Sequence, residues 1–134
     1  LRNISRADYI FMAAAVSDYT PSIKFTSKMK RSNENLVLNL EPAPDILKSI
    51  FNEKKAIKIA FALETENGEK EALRKMKDKN TDFVVLNYAN EKGAGFDSNT
   101  NHVIIFDKNG HSFELKKDRK DRIAKKMIDY ILKN

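Results

Sequence analysis

Three short, mainly apolar segments alternate with helical patterns along the chain, and this alternation is the strongest constraint on the fold. The apolar segments cover residues 9–16, 56–63 and 82–89. A continuous apolar run of this length is typical of a strand that is covered on both faces. The strand–helix–strand–helix–strand order therefore predicts an α/β protein, a Rossmann-like three-layer sandwich around a mainly parallel sheet.

Three segments carry helix signals. Residues 43–55 have Pro44 at the expected first helical position and Asp45 in the first turn. Residues 66–80 have acidic side chains early and lysines late, as the helix dipole favours. A last helix begins near Asp118. The residues that we expect to face the core from the last two helices are Ala72, Leu73, Met76, Ile123, Met127, Ile128 and Ile131.

Two further segments predict strands outside the parallel core. Leu36, Leu38 and Leu40 recur with a period of two, which predicts a half-buried strand. Residues 102–116 predict a β-hairpin that turns at Asn109-Gly110, because this dipeptide suits a tight hairpin turn. The hairpin would add antiparallel strands at one edge of the sheet.

The composition supports a single domain over residues 1–134 and narrows the kinds of site that it can carry. The chain has no cysteine, which excludes disulfides and thiolate metal sites. Its two histidines are well separated, which disfavours a histidine metal site. No apolar run approaches the roughly 20 residues of a membrane span, so we expect a cytoplasmic protein without membrane contacts. The net charge of +6 favours anionic partners.

The ends of the predicted strands are where a ligand is expected, because open parallel sheets bind ligands outside the carboxyl ends of their strands. The first strand ends in three alanines, followed by Ser17 and Asp18. Small side chains let a ligand approach the backbone, and Asp18 could accept hydrogen bonds from a base or ribose or hold Mg²⁺. Alternatively, the alanines pack under a helix and Asp18 caps a turn.

The ends of the second and third predicted strands offer further candidate ligand-binding residues, and each of these residues has an alternative role without a ligand. Phe61 could stack on a planar ligand or belong to the core. Lys75 and Lys79 are four residues apart and share a helix face, which could meet phosphate groups or simply be solvated. Asn87 lies in an apolar strand and needs partners for its amide, either a ligand or a neighbouring loop.

A basic segment follows the first strand end. Lys28, Lys30 and Arg31 lie in a loop between Pro21 and the leucine strand, and this loop could close over a bound ligand or be an ordinary charged surface. Taken together, cations and three candidate binding elements at one sheet edge predict a phosphorylated ligand, most economically a nucleotide.

The order of the motifs resembles a known family. The segments AAAVSDYTP, KMKR, PDIL, FALETEN, KMKDKNTDFVVLN and AGFDSNTN occur in the order found in phosphopantothenate–cysteine ligase, the domain often fused behind a flavin-dependent decarboxylase in bacterial coenzyme A biosynthesis. The resemblance covers nearly the whole chain. It implies a CTP-dependent ligase with Mg²⁺ that joins phosphopantothenate and cysteine through an acyl-cytidylate, and a homodimer.

The resemblance also carries roles to individual positions. Lys28 matches the residue associated with triphosphate binding and with turnover of the acyl-cytidylate, so it is the candidate catalytic residue. No metal ligand is assigned, and Arg31, where the family usually has lysine, receives no role. The nucleotide-binding candidates are Met12, Ala13, Ala14, Asp18, Lys28, Pro44, Asp45, Ile46, Leu47, Phe61, Lys75 and Lys79.

Other interpretations stay open at this point. The same ligase could use ATP, or the chain could be a non-catalytic fragment that binds nucleotide or nucleic acid. Nucleic acid is disfavoured because no aromatic residues interleave with the basic segments. The chain begins without methionine, and Leu1 and Ile4 look like the last turn of a helix. We therefore expect the domain to lack its N-terminal portion, including a glycine-rich turn and an asparagine of the family, and to show little ligase activity alone.

Overall fold

The central element of the structure is a five-stranded mixed sheet. The computed structural model describes residues 4–31, 33, 35–50, 52, 55–65, 67–88 and 98–134. The sheet has the strand order β1-β4-β5-β6-β7, in which β1, β4 and β5 are parallel and β6 and β7 are antiparallel to their neighbours. The strands are β1 (Tyr9–Met12), β4 (Ile57–Glu64), β5 (Phe83–Tyr88), β6 (Thr100–Asp107) and β7 (Ser112–Arg119).

Helices cover both faces of this sheet, because the central strands send apolar side chains to both sides. On one face, the helix α2 (Gly68–Lys79) packs against β4 and β5 through a cluster that includes Ala60, Val84 and Leu86. On the other face, the helix α3 (Lys120–Ile131) packs on a cluster that includes Ile59 and Val85. The predicted α/β fold class, a Rossmann-like three-layer sandwich with an antiparallel edge, is therefore confirmed.

The hairpin at that edge turns where the sequence predicts it. β6 and β7 pair antiparallel on either side of Asn109-Gly110, and Gly110 has a φ of +89°, which favours glycine. Asp107 organises the turn: Oδ1 accepts hydrogen bonds from the N–H groups of Asn109 (2.8 Å) and His111 (2.9 Å), and Oδ2 accepts one from His111 Nδ1 (2.9 Å). β7 continues to Arg119, and the last helix begins at Lys120, two residues after Asp118 and so near its predicted start.

Two strand predictions are wrong in extent. The first strand ends at Met12 and does not reach residue 16, because its only partner in the described part of the chain is β4, which pairs with it over four residues. The leucine segment is not half-buried: Leu36, Leu38 and Leu40 are 61%, 53% and 56% exposed. Only Leu40 belongs to a strand, β3 (Leu40–Pro42), which pairs with β2 (Tyr19–Pro21), a strand that the sequence did not predict.

Three helix predictions also need correction. The helix α1 spans only Ile46–Ser49, and Asp45 is its N-cap, so Pro44 lies before the helix and not at its first position. Leu73 and Ile128 are exposed, although we expected them to face the core. The reason is that each long helix buries a narrow stripe of residues four apart, formed by Gly68, Ala72 and Met76 in α2 and by Ile123, Met127 and Ile131 in α3. No helix among the described residues has the length and apolar character to cross a membrane.

We expect the Asp107 turn to make the stability of the protein depend on pH. Burial by itself raises the pKa of Asp107, but the hydrogen bonds from the His111 side chain and from the backbone of His111 and Asn109 outweigh it, and the pKa is lowered. A carboxyl group whose pKa is lowered in the folded state stabilises the fold at pH values above its ordinary pKa, which is near 4. This contribution is lost as the pH falls through the lowered pKa of the folded state.

The variant Asp107→Ala tests this prediction. It should reduce the free energy of unfolding by about 1–3 kcal/mol at pH 7, because donors of the turn lose their acceptor, and by a smaller amount near pH 3, below the ordinary pKa of the carboxyl group. Urea unfolding at both pH values measures the difference. Asp129→Ala, at an exposed carboxylate of α3, is the control and should change little at either pH. An equal loss for Asp107→Ala at both pH values would contradict the prediction.

Gly68 is expected to set the distance between α2 and β5. A Cβ atom at this buried position would lie 2.9 Å from Tyr88 Cε1 and 3.1 Å from both Leu86 methyl groups, closer than van der Waals contact allows. Gly68→Val should therefore lower the free energy of unfolding by about 1–3 kcal/mol through overpacking. Lys70→Val, at an exposed position two residues on, carries a valine in the same helical turn without that contact. Similar losses in the two variants would contradict the steric explanation.

Candidate functional site

A cleft of about 420 Å³ opens at the carboxyl ends of β1 and β4. It is bounded by the segment that follows β1, by α1 and by the face of α2 that carries two lysines. The described residues that line it are Met12, Ala14, Ala15, Val16, Ser17, Asp18, Ala43, Pro44, Asp45, Ile46, Leu47, Phe61, Leu63, Lys75 and Lys79. These include every predicted nucleotide-binding residue except Ala13 and Lys28.

The segment after β1 forms an open wall of small side chains. The alanines are exposed, so they do not pack under a helix as the alternative interpretation proposed. Ser17 makes the turn: its Oγ donates a hydrogen bond to the carbonyl of Tyr19 (2.7 Å). The carbonyl of Asp18 accepts a hydrogen bond from the N–H of Ala43 (2.8 Å), which ties this wall to the chain entering α1. Asp18 thereby lies in the lining of the cleft.

The opposite wall is held by Asp45. Its Oδ1 accepts a hydrogen bond from the N–H of Lys48 (3.0 Å) and so caps α1. Its Oδ2 accepts a hydrogen bond from Lys79 Nζ on α2. Four residues earlier on the same helix, Lys75 Nζ lies 3.6 Å from Glu64 Oε1 at the end of β4. Both lysines therefore border the cleft beside a carboxylate, and neither belongs to a purely solvated helix face.

Aromatic and aliphatic side chains complete the cleft. Phe61 is half-buried, packs against the core cluster under α3 and also lines the cleft, so its place in the core is confirmed and its stacking on a ligand stays a prediction. Leu63 follows on the same side of β4 and is exposed at the cleft. An apolar surface beside polar groups can accommodate a planar ring and exclude water around it.

Lys28 and its basic neighbours lie apart from the cleft wall. They belong to an exposed connection between β2 and β3, whose base is joined by hydrogen bonds from the N–H and Oγ of Ser22 to the carbonyl of Asn39 (3.0 and 3.1 Å). The structure does not bring Lys28 or Ala13 into the cleft lining. The assignment of Lys28 as the catalytic residue stays a prediction.

Asn87 has a partner within the protein. The Nδ2 atom of Asn101, on the neighbouring strand β6, donates a hydrogen bond to Asn87 Oδ1 (3.0 Å). The half-buried amide of Asn87 is thus paired with the side chain of Asn101. This partner is neither the ligand nor the neighbouring loop that we expected. The glycine-rich part of the loop that follows β5 falls at residues 89–97, outside the described residues.

Three residues that line the cleft were not singled out from the sequence: Val16, Ala43 and Leu63. Leu63 had a usable signal, because it is two residues from Phe61 on a predicted strand and therefore shares its face. Val16 and Ala43 had no such sequence signal, because their positions at the cleft depend on where the chain turns after β1 and before α1. The described residues contain no cluster of three or more histidine or acidic side chains that could hold a metal ion.

The arrangement of the strands and the cleft defines the class of this protein. Parallel strands, helices on both faces and a cleft at the carboxyl ends of the strands make it a Rossmann-like α/β protein with its cleft where this class binds ligands. A family model for the DNA/pantothenate metabolism flavoprotein C-terminal domain matches residues 1–134. The chain belongs to this family, and the family resemblance noted from the motifs is confirmed.

Individual relatives agree with this assignment. The chain is 42% identical over 110 residues to the coenzyme A biosynthesis bifunctional protein CoaBC of Bacillus subtilis (strain 168). The aligned residues make up 81% of this chain and 27% of that protein. It is 39% identical over 129 residues to a cysteine/cysteine sulfinic acid decarboxylase from an unknown prokaryotic organism, which covers 93% of this chain and 35% of that protein. The chain thus spans about a third or less of each relative.

A solved structure shows the same fold. The crystal structure of the C-terminal domain of CoaBC matches this chain with a TM-score of 0.75 and 27% sequence identity. The match covers 97% of this chain and 56% of that one.

Proposed function

We propose that this chain is the nucleotide-binding part of a cytoplasmic phosphopantothenate–cysteine ligase of coenzyme A biosynthesis that uses CTP. The observation that carries the proposal is the cleft, which gathers residues from four separate segments, each of which contains residues that the resemblance matches to the family's nucleotide site. The similarity of the chain to CoaBC of Bacillus subtilis and to the C-terminal domain of CoaBC supports a role in coenzyme A biosynthesis.

The proposed reaction has two steps. The carboxylate of phosphopantothenate attacks the α-phosphorus of CTP, pyrophosphate leaves, and an acyl-cytidylate remains. The amine of cysteine then attacks the acyl carbon and loses a proton to solvent, an amide forms, and CMP leaves with the electrons of the broken anhydride bond. Such a site must screen the phosphate charge, hold the carboxylate in line and keep water from the anhydride.

The charges on the cleft wall indicate that a bound triphosphate would need additional cations. Among the described residues, the charged lining consists of two carboxylates, Asp18 and Asp45, and two ammonium groups, Lys75 and Lys79. These balance, so the wall alone offers a triphosphate no net positive charge. Additional cations must therefore come from elsewhere, and the basic segment with Lys28 and a Mg²⁺ ion are the two sources that we propose.

The residues present suit Mg²⁺ in this role. Mg²⁺ is commonly held by one or two carboxylates together with substrate phosphates and not by a dedicated protein cage. Asp18 supplies a hard oxygen ligand at the cleft, which fits this pattern, and it is the residue that would hold the ion. When bound, Mg²⁺ would screen the phosphate charge.

Calorimetric titration with CTP and with ATP, both with Mg²⁺ at physiological salt, tests the proposal. We expect saturable binding of CTP that is weakened at least about tenfold in Asp18→Ala and in Lys28→Ala, the scale of one charge-assisted contact. Lys24→Ala, in the same connection but before the basic segment, is the matched control and should bind like the wild type. Preference for ATP would contradict CTP dependence, and absence of binding to either nucleotide would contradict the nucleotide site.

We also propose that two copies of the chain associate through the β2–β3 unit. A two-stranded sheet is marginal on its own. The connection that joins its strands leaves a row of apolar side chains uncovered, among them Leu36 and Leu38, which are 61% and 53% exposed. A second copy would cover these side chains and pair with the free strand edges. The dimer that the family resemblance implies is consistent with this surface.

Light scattering measures the mass in solution directly. We expect the mass of a dimer for the wild type and of a monomer for Leu36→Glu/Leu38→Glu, because charged side chains on this row oppose its burial. Leu132→Glu places the same charge on an apolar side chain that is equally exposed at the end of α3, and it should remain a dimer. A monomeric wild type, or a dimer that survives the double substitution, would contradict the proposed interface.

A further inference from the structure

A second cavity lies on the other flank of α2 from the nucleotide cleft. It has a volume of about 410 Å³ and lies between the C-terminal half of α2 and the turn that follows β6. The two cavities have no described lining residue in common. The described residues that line the second cavity are Leu73, Met76, Lys77, Asn80, Thr81, Asp82 and Lys108.

The helix α2 itself separates the two cavities. Its four residues in the second cavity follow the spacing i, i+3, i+4 and i+7, which places them on one flank of the helix. Lys75 and Lys79 of the cleft lie on the other flank, beyond the buried stripe that contains Ala72. Because α2 packs on β4 and β5, the first flank faces the antiparallel side of the sheet, where Lys108 follows β6.

Thr81 brings an unused hydrogen-bonding group to this lining. The residue is 4% exposed, and its Oγ1 has no hydrogen-bond partner among the residues that the structure describes. A buried hydroxyl without a partner destabilises a fold relative to an apolar group of the same shape. The N–H of Thr81 donates to the carbonyl of Met76 (3.1 Å), which valine at this position would do equally well. The fold therefore gains nothing from the hydroxyl, whereas a ligand that accepts its hydrogen bond does.

The charged groups of the lining determine the charge that a ligand should carry. Lys108 Nζ donates a hydrogen bond to Asp82 Oδ1 (2.7 Å), and Asp82 Oδ2 accepts another from the N–H of Lys58 (2.9 Å). Asp82 is thus held by the protein and compensates the charge of Lys108. Lys77 has no ion-pair partner in the described part of the chain. One positive charge is left over, which suits a monoanion better than a phosphate dianion.

Apolar side chains occupy the remainder of the lining. Met76 is 9% exposed and lies at the buried side of the cavity, whereas Leu73 is 39% exposed beside it. An aliphatic group that covers both side chains is removed from water together with them. Methionine also adapts its shape to a partner, because its side chain is unbranched and flexible.

We propose that this cavity is a second ligand site, which takes a small monocarboxylate with a short aliphatic body. The carboxylate contacts the ammonium group of Lys77 and accepts a hydrogen bond from the hydroxyl of Thr81. The aliphatic body covers Leu73 and Met76. Because Oγ1 is buried, the Thr81 side chain turns about its Cα–Cβ bond to another staggered position when it meets the ligand. The site is independent of the proposed nucleotide function.

Titration of the chain with hexanoate, followed by the NMR signal of the Met76 methyl group, tests the proposal. We expect a saturable shift with a dissociation constant on the order of 1 mM, the scale for a ligand of about eight heavy atoms. 1-Hexanol has the aliphatic body without the charge, and inorganic phosphate has charge without the aliphatic body. Each should bind at least about tenfold more weakly than hexanoate.

Thr81→Val separates a ligand-binding role of the hydroxyl from a structural one, because valine keeps the shape of the side chain. The variant should bind hexanoate about tenfold more weakly. It should also unfold at a temperature higher by roughly 2–4 °C, since a buried polar group without a partner is removed. Thr81→Ser keeps the hydroxyl and should bind hexanoate more tightly than Thr81→Val does.

Lys77→Ala tests the charge contact. It should weaken hexanoate about tenfold and leave the affinity for 1-hexanol unchanged. Lys70→Ala is the matched control, because this exposed lysine lies on the same helix and outside the lining of both cavities. It should bind hexanoate like the wild type, and alanine should keep the helix folded in both variants.

Three results would overturn the proposed site. The first is the absence of a saturable Met76 shift with hexanoate, and the second is equal affinity for hexanoate and 1-hexanol. The third is a Thr81→Val variant that binds hexanoate like the wild type or is less stable than it, because its hydroxyl would then serve the fold and not a ligand. No CTP is present in these titrations, so their result leaves the nucleotide site to its own test.

Discussion

The parallel pairing of β4 with β5 is the constraint on which the rest of the structure depends. Six residue pairs, from Ile59 with Phe83 to Glu64 with Tyr88, place the carboxyl ends of both strands at one edge of the sheet. Because parallel neighbours cannot be joined by a tight turn, the chain must cross back over one face, and α2 is that crossover. The lysines of α2 therefore come to lie beside the end of β4, where Glu64 and Phe61 already are.

Charge pairing at this edge gives the cleft its shape before any ligand arrives. Asp45 serves α1 and α2 at once, and Glu64 attracts Lys75 from the end of its strand. Partly exposed ion pairs of this kind contribute little to global stability, typically about 0–1 kcal/mol each. Their importance is local, because they determine where the walls of the cleft stand and how much positive charge is left for an anionic ligand.

The β2–β3 unit differs from the five-stranded sheet in how it is covered. Among the described residues, it is connected to the cleft through the segment after β1 and through Ala43, and the described part of its long connection is exposed. In the five-stranded sheet, β4, β5 and β6 each pair with a strand on both sides, and a helix packs on each face of the sheet. In this unit, the leucines alternate as they would in a strand, yet no layer within the described residues covers them. The pattern of the sequence is consistent with a partner surface that one copy of the chain does not supply.

The alternation of short apolar runs with helical patterns was sufficient to predict the layers, the strand direction and the hairpin, because these follow from local periodicity and from the rule that parallel strands need crossovers. The residues of the cleft were also largely predicted, since strand ends of a parallel sheet converge. The motif resemblance was needed to single out the Pro44–Leu47 segment, which no periodicity marks as a site.

What the sequence by itself determined about this protein is thus the layered fold, its family and the edge at which the cleft opens. Only the tertiary structure decided where β1 stops, which side chains of each helix face the core, and which carboxylate each lysine binds. The physical reason is that these features depend on contacts between segments far apart in the chain. The partner of Lys79 is 34 residues away, and nothing in the local pattern around either residue encodes that distance in space.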